Sequence, residues 1–166
     1  MIEESKKLVE AEDLYDSLRA NVLQEIGILE LIAKNFEEAR KFLTEAKVIW
    51  EKLAPGNKQS KLQMAKVQRA LAEILILNNE LEDARKLLGN NIFIYTNETE
   101  DSEGLGLTHL LFANVSLREG KIDKAAWDLE NAISHFEEDN NPLVFAQYNL
   151  LLGNKFLLQG KSGTAK

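Results

Sequence analysis

The segment 158–166 reads LQGKSGTAK, and Gly160, Lys161 and Ser162 are the residue types that close a phosphate-binding loop, whose backbone amides and lysine cradle a nucleotide. That chemistry needs the pattern G-x-x-x-x-G-K-[ST] between a strand and a helix. The first glycine would stand at 155, where the chain has Lys155, and the preceding LVFAQYNLLLGNKFLL is patterned as a helix. A Gly-Lys pair also recurs at Gly120 and Lys121. Neither His109 nor His135 has a second histidine near it in sequence or a place in an HExxH pattern, so no metal centre is assembled and both read as packing or surface residues. The carboxylate groups Glu37 and Glu38, and Glu137 to Asp139, fall on polar helix faces or ends, whereas acid–base work needs a carboxyl in an apolar cleft. No nucleophile motif is present. These residues predict a non-enzyme with no cofactor and no metal.

Composition narrows the remaining classes. A hydrophobic fraction of 45% and a charged fraction of 28% over 166 residues are those of a folded chain with one sizeable core. Two prolines and nine glycines leave little punctuation, and Leu, Glu, Ala, Lys and Asn dominate while Val and Thr are few, a helix-forming composition. The net charge of −7 argues against general nucleic-acid binding, which needs clustered cations, while leaving room for a local basic patch. With no cysteine, disulfides and thiolate sites are excluded. No apolar run approaches the roughly 20 residues that span a bilayer, and the acidic, amphipathic start is unlike a signal peptide. The expectation is a cytoplasmic protein without membrane contact.

The elements that must position any function come from internal repetition. KNFEEARKFLTEA, NELEDARKLLGNN, GKIDKAAWDLENA and GKSGTAK align, with Ala39, Ala84, Ala125 and Ala165 spaced by 45, 41 and 40 residues. Twelve residues before each alanine stands Gly27, Ala72, Ala113 or Gly153, each preceded by a bulky apolar residue. After the first three alanines come Leu43, Leu88 and Leu129, then Ala46, Asn91 and Ala132, then Trp50, Tyr95 and Phe136, all on one helical stripe. KKLVEAEDLYDSL falls in the same register, pairing Leu8 with Leu43, Ala11 with Ala46, Tyr15 with Trp50 and Leu18 with Leu53. Small residues facing each other let two helices approach closely. The aromatic ladder Tyr15, Trp50, Tyr95 and Phe136 is read as packing between hairpins, not as a ligand cage.

This pattern resembles the tetratricopeptide repeat family over nearly the whole chain, in an extended form of about 40 residues per unit. Glu30, Leu75 and Ser116 replace the family's usual first-helix tyrosine, and only Phe156 is aromatic there. The resemblance implies an all-α, right-handed superhelix of antiparallel helical hairpins forming one domain over 1–166. Its parts are a lone second helix at 2–18, full hairpins at 20–54, 59–96 and 103–138, and a truncated fourth hairpin at 142–166. Individual helices are expected near 2–18, 20–34, 37–54, 59–79, 81–96, 103–119, 122–138 and 142–159, with polar loops at APGNKQ, TNETEDSE and DNNP. In the last unit Gly160 and Lys161 are expected to make the turn and Ala165 to open the next helix.

What the resemblance implies about function is capture of a protein or peptide in a concave groove lined by the first helix of each hairpin. The groove positions carried over include Asn21, Gln24, Lys66, Arg69, Leu110, Asn114, Arg118, Gln147 and Asn154. Asn114 and Asn154 match, and an amide with one acceptor and two donor hydrogens suits the backbone of an extended peptide. Lys66, Arg69 and Arg118 make the groove locally basic, so the expected guest carries an acidic or C-terminal segment. A second reading is a ligand-sensing or oligomerisation domain of a bacterial transcription regulator. A third is a structural segment of a large complex. The helix at 143–158 is apolar nearly all round and needs a cover, from further repeats of a larger protein, from self-association, or from a partner.

Overall fold

In the computed structural model, residues 2–136 and 141–163 are described. Among them the chain is all-helical, with seven α-helices and no strand: α1 (Ile2–Ile32), α2 (Phe36–Leu53), α3 (Lys58–Leu77), α4 (Leu81–Ile94), α5 (Ser102–Arg118), α6 (Ile122–Ile133) and α7 (Pro142–Gly163). A π-helical turn at Tyr95–Thr99 extends α4 and ends at Glu100, which has φ 55°. The chain divides into two compact units, Met1–Ile74 and Leu75–Lys166.

One turn chemistry ends α1, α3 and α5. Lys34, Asn79 and Gly120 adopt left-handed φ of 65°, 64° and 72°. At each, two backbone amides reach back to the preceding helix: Asn35 N to Glu30 O and Lys34 N to Leu31 O, Glu80 N to Leu75 O and Asn79 N to Ile76 O, Lys121 N to Ser116 O and Gly120 N to Leu117 O. These are paired six-to-one and five-to-two bonds that satisfy carbonyls at a helix end. The next helix then opens with its alanine amide on the carbonyl of Asn35, Glu80 or Lys121. Elsewhere side chains set the starts: Asn57 accepts from Ser60 N at 3.0 Å, and Asp101 accepts from Gly104 N at 3.0 Å.

In the first unit α2 lies back along the second half of α1. Its stripe Ala39, Leu43, Ala46 and Trp50 is buried to 3% exposure or less, with Leu43 against Gly27 of α1. Lys52 bridges Glu12 and Asp16 at 3.1 and 2.8 Å, and these bonds, Asp16 foremost, hold its pKa above the ordinary lysine value. In the second unit Leu110, Ala113 and Leu117 of α5 pack with Ala125, Leu129 and Ala132 of α6 and Leu151 of α7. Arg85 of α4 pairs with Glu119 at the end of α5, which also takes Lys121 at 3.0 Å. The aromatic of the second repeat, Tyr95, is buried against Gly104, where a Cβ would have no room.

Three expectations are corrected. The helices expected at 2–18 and 20–34 are one continuous helix, because Leu18, Arg19 and Ala20 at the expected joint are good helix formers with no turn residue among them. Tyr15 does not pack like its register mates: it is 67% exposed, while Trp50 and Tyr95 are 3% and 1%. The Gly160–Lys161 turn is absent, since α7 runs on to Gly163, and a single glycine costs a helix only about 1 kcal/mol. Ala165 and the Glu137–Asp139 carboxylates lie outside the described residues.

Candidate functional site

The first unit holds a trough of about 490 Å³ between α1 and α3. Its α1 wall is Asn21, Gln24, Glu25, Ile28, Leu31 and Ile32, which recur at helical spacing, and Gln63, Lys66, Arg69, Ala70 and Glu73 face them from α3. Four residues named from sequence are thus brought together: Asn21, Gln24, Lys66 and Arg69.

Gln24 is the buried polar group of this site, with 5% exposure. Its Nε2 donates to Oε1 of Gln63 at 3.1 Å, which ties the two walls, while its own Oε1 has no hydrogen-bond partner. A buried acceptor without a donor costs about 1–3 kcal/mol, so this oxygen is a standing demand for an N–H. Lys66 and Arg69 supply cations on the opposite wall, and Ile28 and Leu31 supply apolar surface on the α1 wall. Glu73 is exposed as a residue, yet partial removal of its carboxyl from water raises its pKa, against the pull of nearby Arg69. The trough therefore combines cationic donors on the α3 wall with apolar surface on the α1 wall, and has an unsatisfied acceptor buried in that wall.

The remaining sequence-named residues lie in the second unit. Asn114 Oδ1 accepts from Arg118 Nε at 3.3 Å on one face of α5, and Gln147 and Asn154 are exposed on α7. Leu110 is 1% exposed in the core beneath them, so it offers no groove surface; α5 is enclosed by α4, α6 and α7, and its Leu positions fill that enclosure.

The histidines, separate in sequence, meet in space. His109 is buried and its Nδ1 lies 3.2 Å from Asp128 Oδ1, with Ser116 Oγ 3.5 Å from the other carboxylate oxygen. Its ring stacks on His135 at 6.5 Å and meets Trp127 edge-on at 5.5 Å. His135 Nδ1 in turn lies 2.9 Å from Ser102 Oγ. Burial, and then the neighbouring His109, lower the pKa of His135. In a nucleophile triad one imidazole bridges serine and carboxylate; here the exposed serine and the carboxylate sit on different rings. Among the described residues no group of three or more His, Cys, Asp or Glu is placed to hold a metal ion. A signal for this pair was present: Asp128 stands where the other repeats carry Phe42 and Leu87, an acid at an apolar register position.

Among the described residues no helix is long and apolar enough to cross a membrane. No family model, curated protein or solved structure matches this chain.

Proposed function

We propose that this chain is a protein-binding module that takes an extended peptide segment into the α1–α3 trough. The observation that carries the reading is Gln24 Oε1, a buried acceptor without a partner at the wall of an open trough. Once the Gln24 side chain turns toward the trough, that oxygen accepts from a peptide N–H, while Lys66 and Arg69 line the trough where a side-chain or terminal carboxylate can reach them. Ile28 and Leu31 take an apolar side chain of the guest. In this reading the hairpins continue the right-handed superhelix of the tetratricopeptide kind, and binding, not catalysis, is the activity.

The test is a fluorescent library of short extended peptides, acidic or neutral, with free or amidated C-termini. Acidic or free-carboxylate members should bind, and Arg69→Ala should weaken them about 10-fold or more, as loss of a charge-assisted bond does. Gln24→Met, which keeps the volume and removes the acceptor, should weaken all members alike. Binding indifferent to both substitutions, or no binding at all, refutes the reading.

A further inference from the structure

Two apolar stripes of equal length stand in water. On α1, Leu8, Ala11, Tyr15, Leu18 and Val22 follow one another at steps of three and four, with Leu8 72% and Tyr15 67% exposed. On α7, Leu143, Ala146, Leu150, Gly153 and Leu157 do the same, with Leu143 85% and Leu150 66% exposed. Steps of three and four make a narrow seam that buries its face against one other helix.

Each stripe is one half of a seam this protein already builds. In register, Leu8, Ala11 and Tyr15 correspond to Leu43, Ala46 and Trp50 of α2, which are buried at 0%, 0% and 3%. Likewise Ala146, Leu150 and Gly153 correspond to Ala20, Gln24 and Gly27 of α1, which are buried. In that finished seam a Cβ on Gly27 would lie 2.6 Å from Leu43 Cγ, so the leucine fills the glycine's slot. At Gly153 nothing lies within 4 Å, so the equivalent slot is open. The α5–α6 seam repeats the rule one step along, with Phe136 filling the slot at Gly106. Charge agrees with shape: α7 carries two lysines and no carboxylate, whereas 2–20 carries six carboxylates against three basic residues, Glu12 and Asp16 of the six being already paired with Lys52.

We infer that α7 of one copy packs antiparallel against the first half of α1 of a second copy, with Leu8 seated at Gly153 and Tyr15 at Ala146. The two faces differ, so the contact is heterologous: each copy that joins leaves a free face of each kind, and the assembly grows by addition or closes as a ring. This inference is independent of the peptide reading, whose trough begins at Asn21, beyond the α1 residues Leu8 and Tyr15 that are seated here.

Light scattering with size-exclusion chromatography, from micromolar to near-millimolar chain, reads it directly. The wild-type chain should increase in mass with concentration. Leu8→Asp alters an exposed position, and Gly153→Leu fills open space on a helix, so both should keep the wild-type circular dichroism while each alone stays monomeric. Leu150→Glu, also exposed, is the second variant on the α7 face. Mixing Leu8→Asp with Gly153→Leu leaves one good face on each chain, and the mixture should form a one-to-one dimer that grows no further. A wild-type chain that stays monomeric, variants that still assemble, or a mixture that stays monomeric would each overturn the inference.

Discussion

Leu43 stands where a side chain on Gly27 would have to go: a Cβ at that glycine would meet Leu43 Cγ at 2.6 Å and its backbone nitrogen at 3.2 Å. The near-zero exposure of Leu43, Ala39 and Ala46 follows from this approach of α1 and α2. Gly27→Ala should therefore destabilise the chain by about 1–3 kcal/mol through overpacking, although alanine is the better helix former by about 1 kcal/mol. Gly153→Ala, in open space within one chain, should show the helix gain alone at a concentration that keeps the chain monomeric. Urea denaturation of the pair decides it: opposite signs are expected, and equal effects would contradict the packing account.

Lys34 holds φ 65° at a reversal where the third hairpin uses Gly120 at 72°. A side chain with a Cβ in this region costs about 1 kcal/mol that glycine does not incur. Lys34→Gly should raise stability by about 0.5–1 kcal/mol, while Gly120→Ala should lower it by a similar amount. A thermal melt showing Lys34→Gly neutral or worse would place the lysine in an interaction that outweighs its backbone strain.

The buried Asp128 carboxylate is held by His109 and Ser116. Asp128→Ala should cost about 2–4 kcal/mol, because it leaves the imidazole without its partner and opens a void. The double variant with His109→Phe should cost less than the sum of the singles, since neither partner is then left alone. A double-mutant cycle in urea measures the coupling; strict additivity would mean the two groups do not interact.

The pKa of His135 in the fold lies below its ordinary value of 6.5, through burial and the adjacent His109. The unfolded chain therefore binds the proton more readily. The stability this group contributes is fully present above pH 6.5 and is lost as pH falls through the lower folded value. Glu119 also has a lowered pKa: burial opposes this, but Lys121 and Arg85 prevail, so its loss comes at more acidic pH, below the ordinary carboxylate value of 4.5. His135→Gln should flatten the dependence of the denaturation midpoint on pH as it falls from neutral through 6.5 and below. An unchanged pH slope in that variant would assign the dependence to other groups.

The core was legible wherever one helix faces one neighbour. Ala39, Leu43, Ala46 and Trp50 recur at steps of four, three and four, and the structure buries all of them. Periodicity says nothing of a joint that leaves no mark, so the unbroken passage through Leu18, Arg19 and Ala20 was missed. It also misjudges enclosure: Leu110 occupies a first-helix position like Gln24, but α5 is covered by more neighbours and the leucine is sealed in. The meeting of His109, Asp128 and His135 joins separate segments through side chains: the repeat register marks Asp128 as an acid at an apolar position, but it does not name the partners. In the trough, Asn21, Gln24, Lys66 and Arg69 were legible as positions, but the unsatisfied oxygen of Gln24 is a property of geometry alone.

The continuous course of α1 makes it a lever. Gln24 in the trough wall and Leu8 on the outer stripe are sixteen residues apart on one helix, a separation of about 24 Å at 1.5 Å per residue. With no hinge between them, a tilt of about 10° that a guest imposes at Gln24 carries Leu8 sideways by about 4 Å, which is close to one step along a helix-packing seam. Two helices joined by a turn would absorb that tilt; a single rod delivers it to the far end.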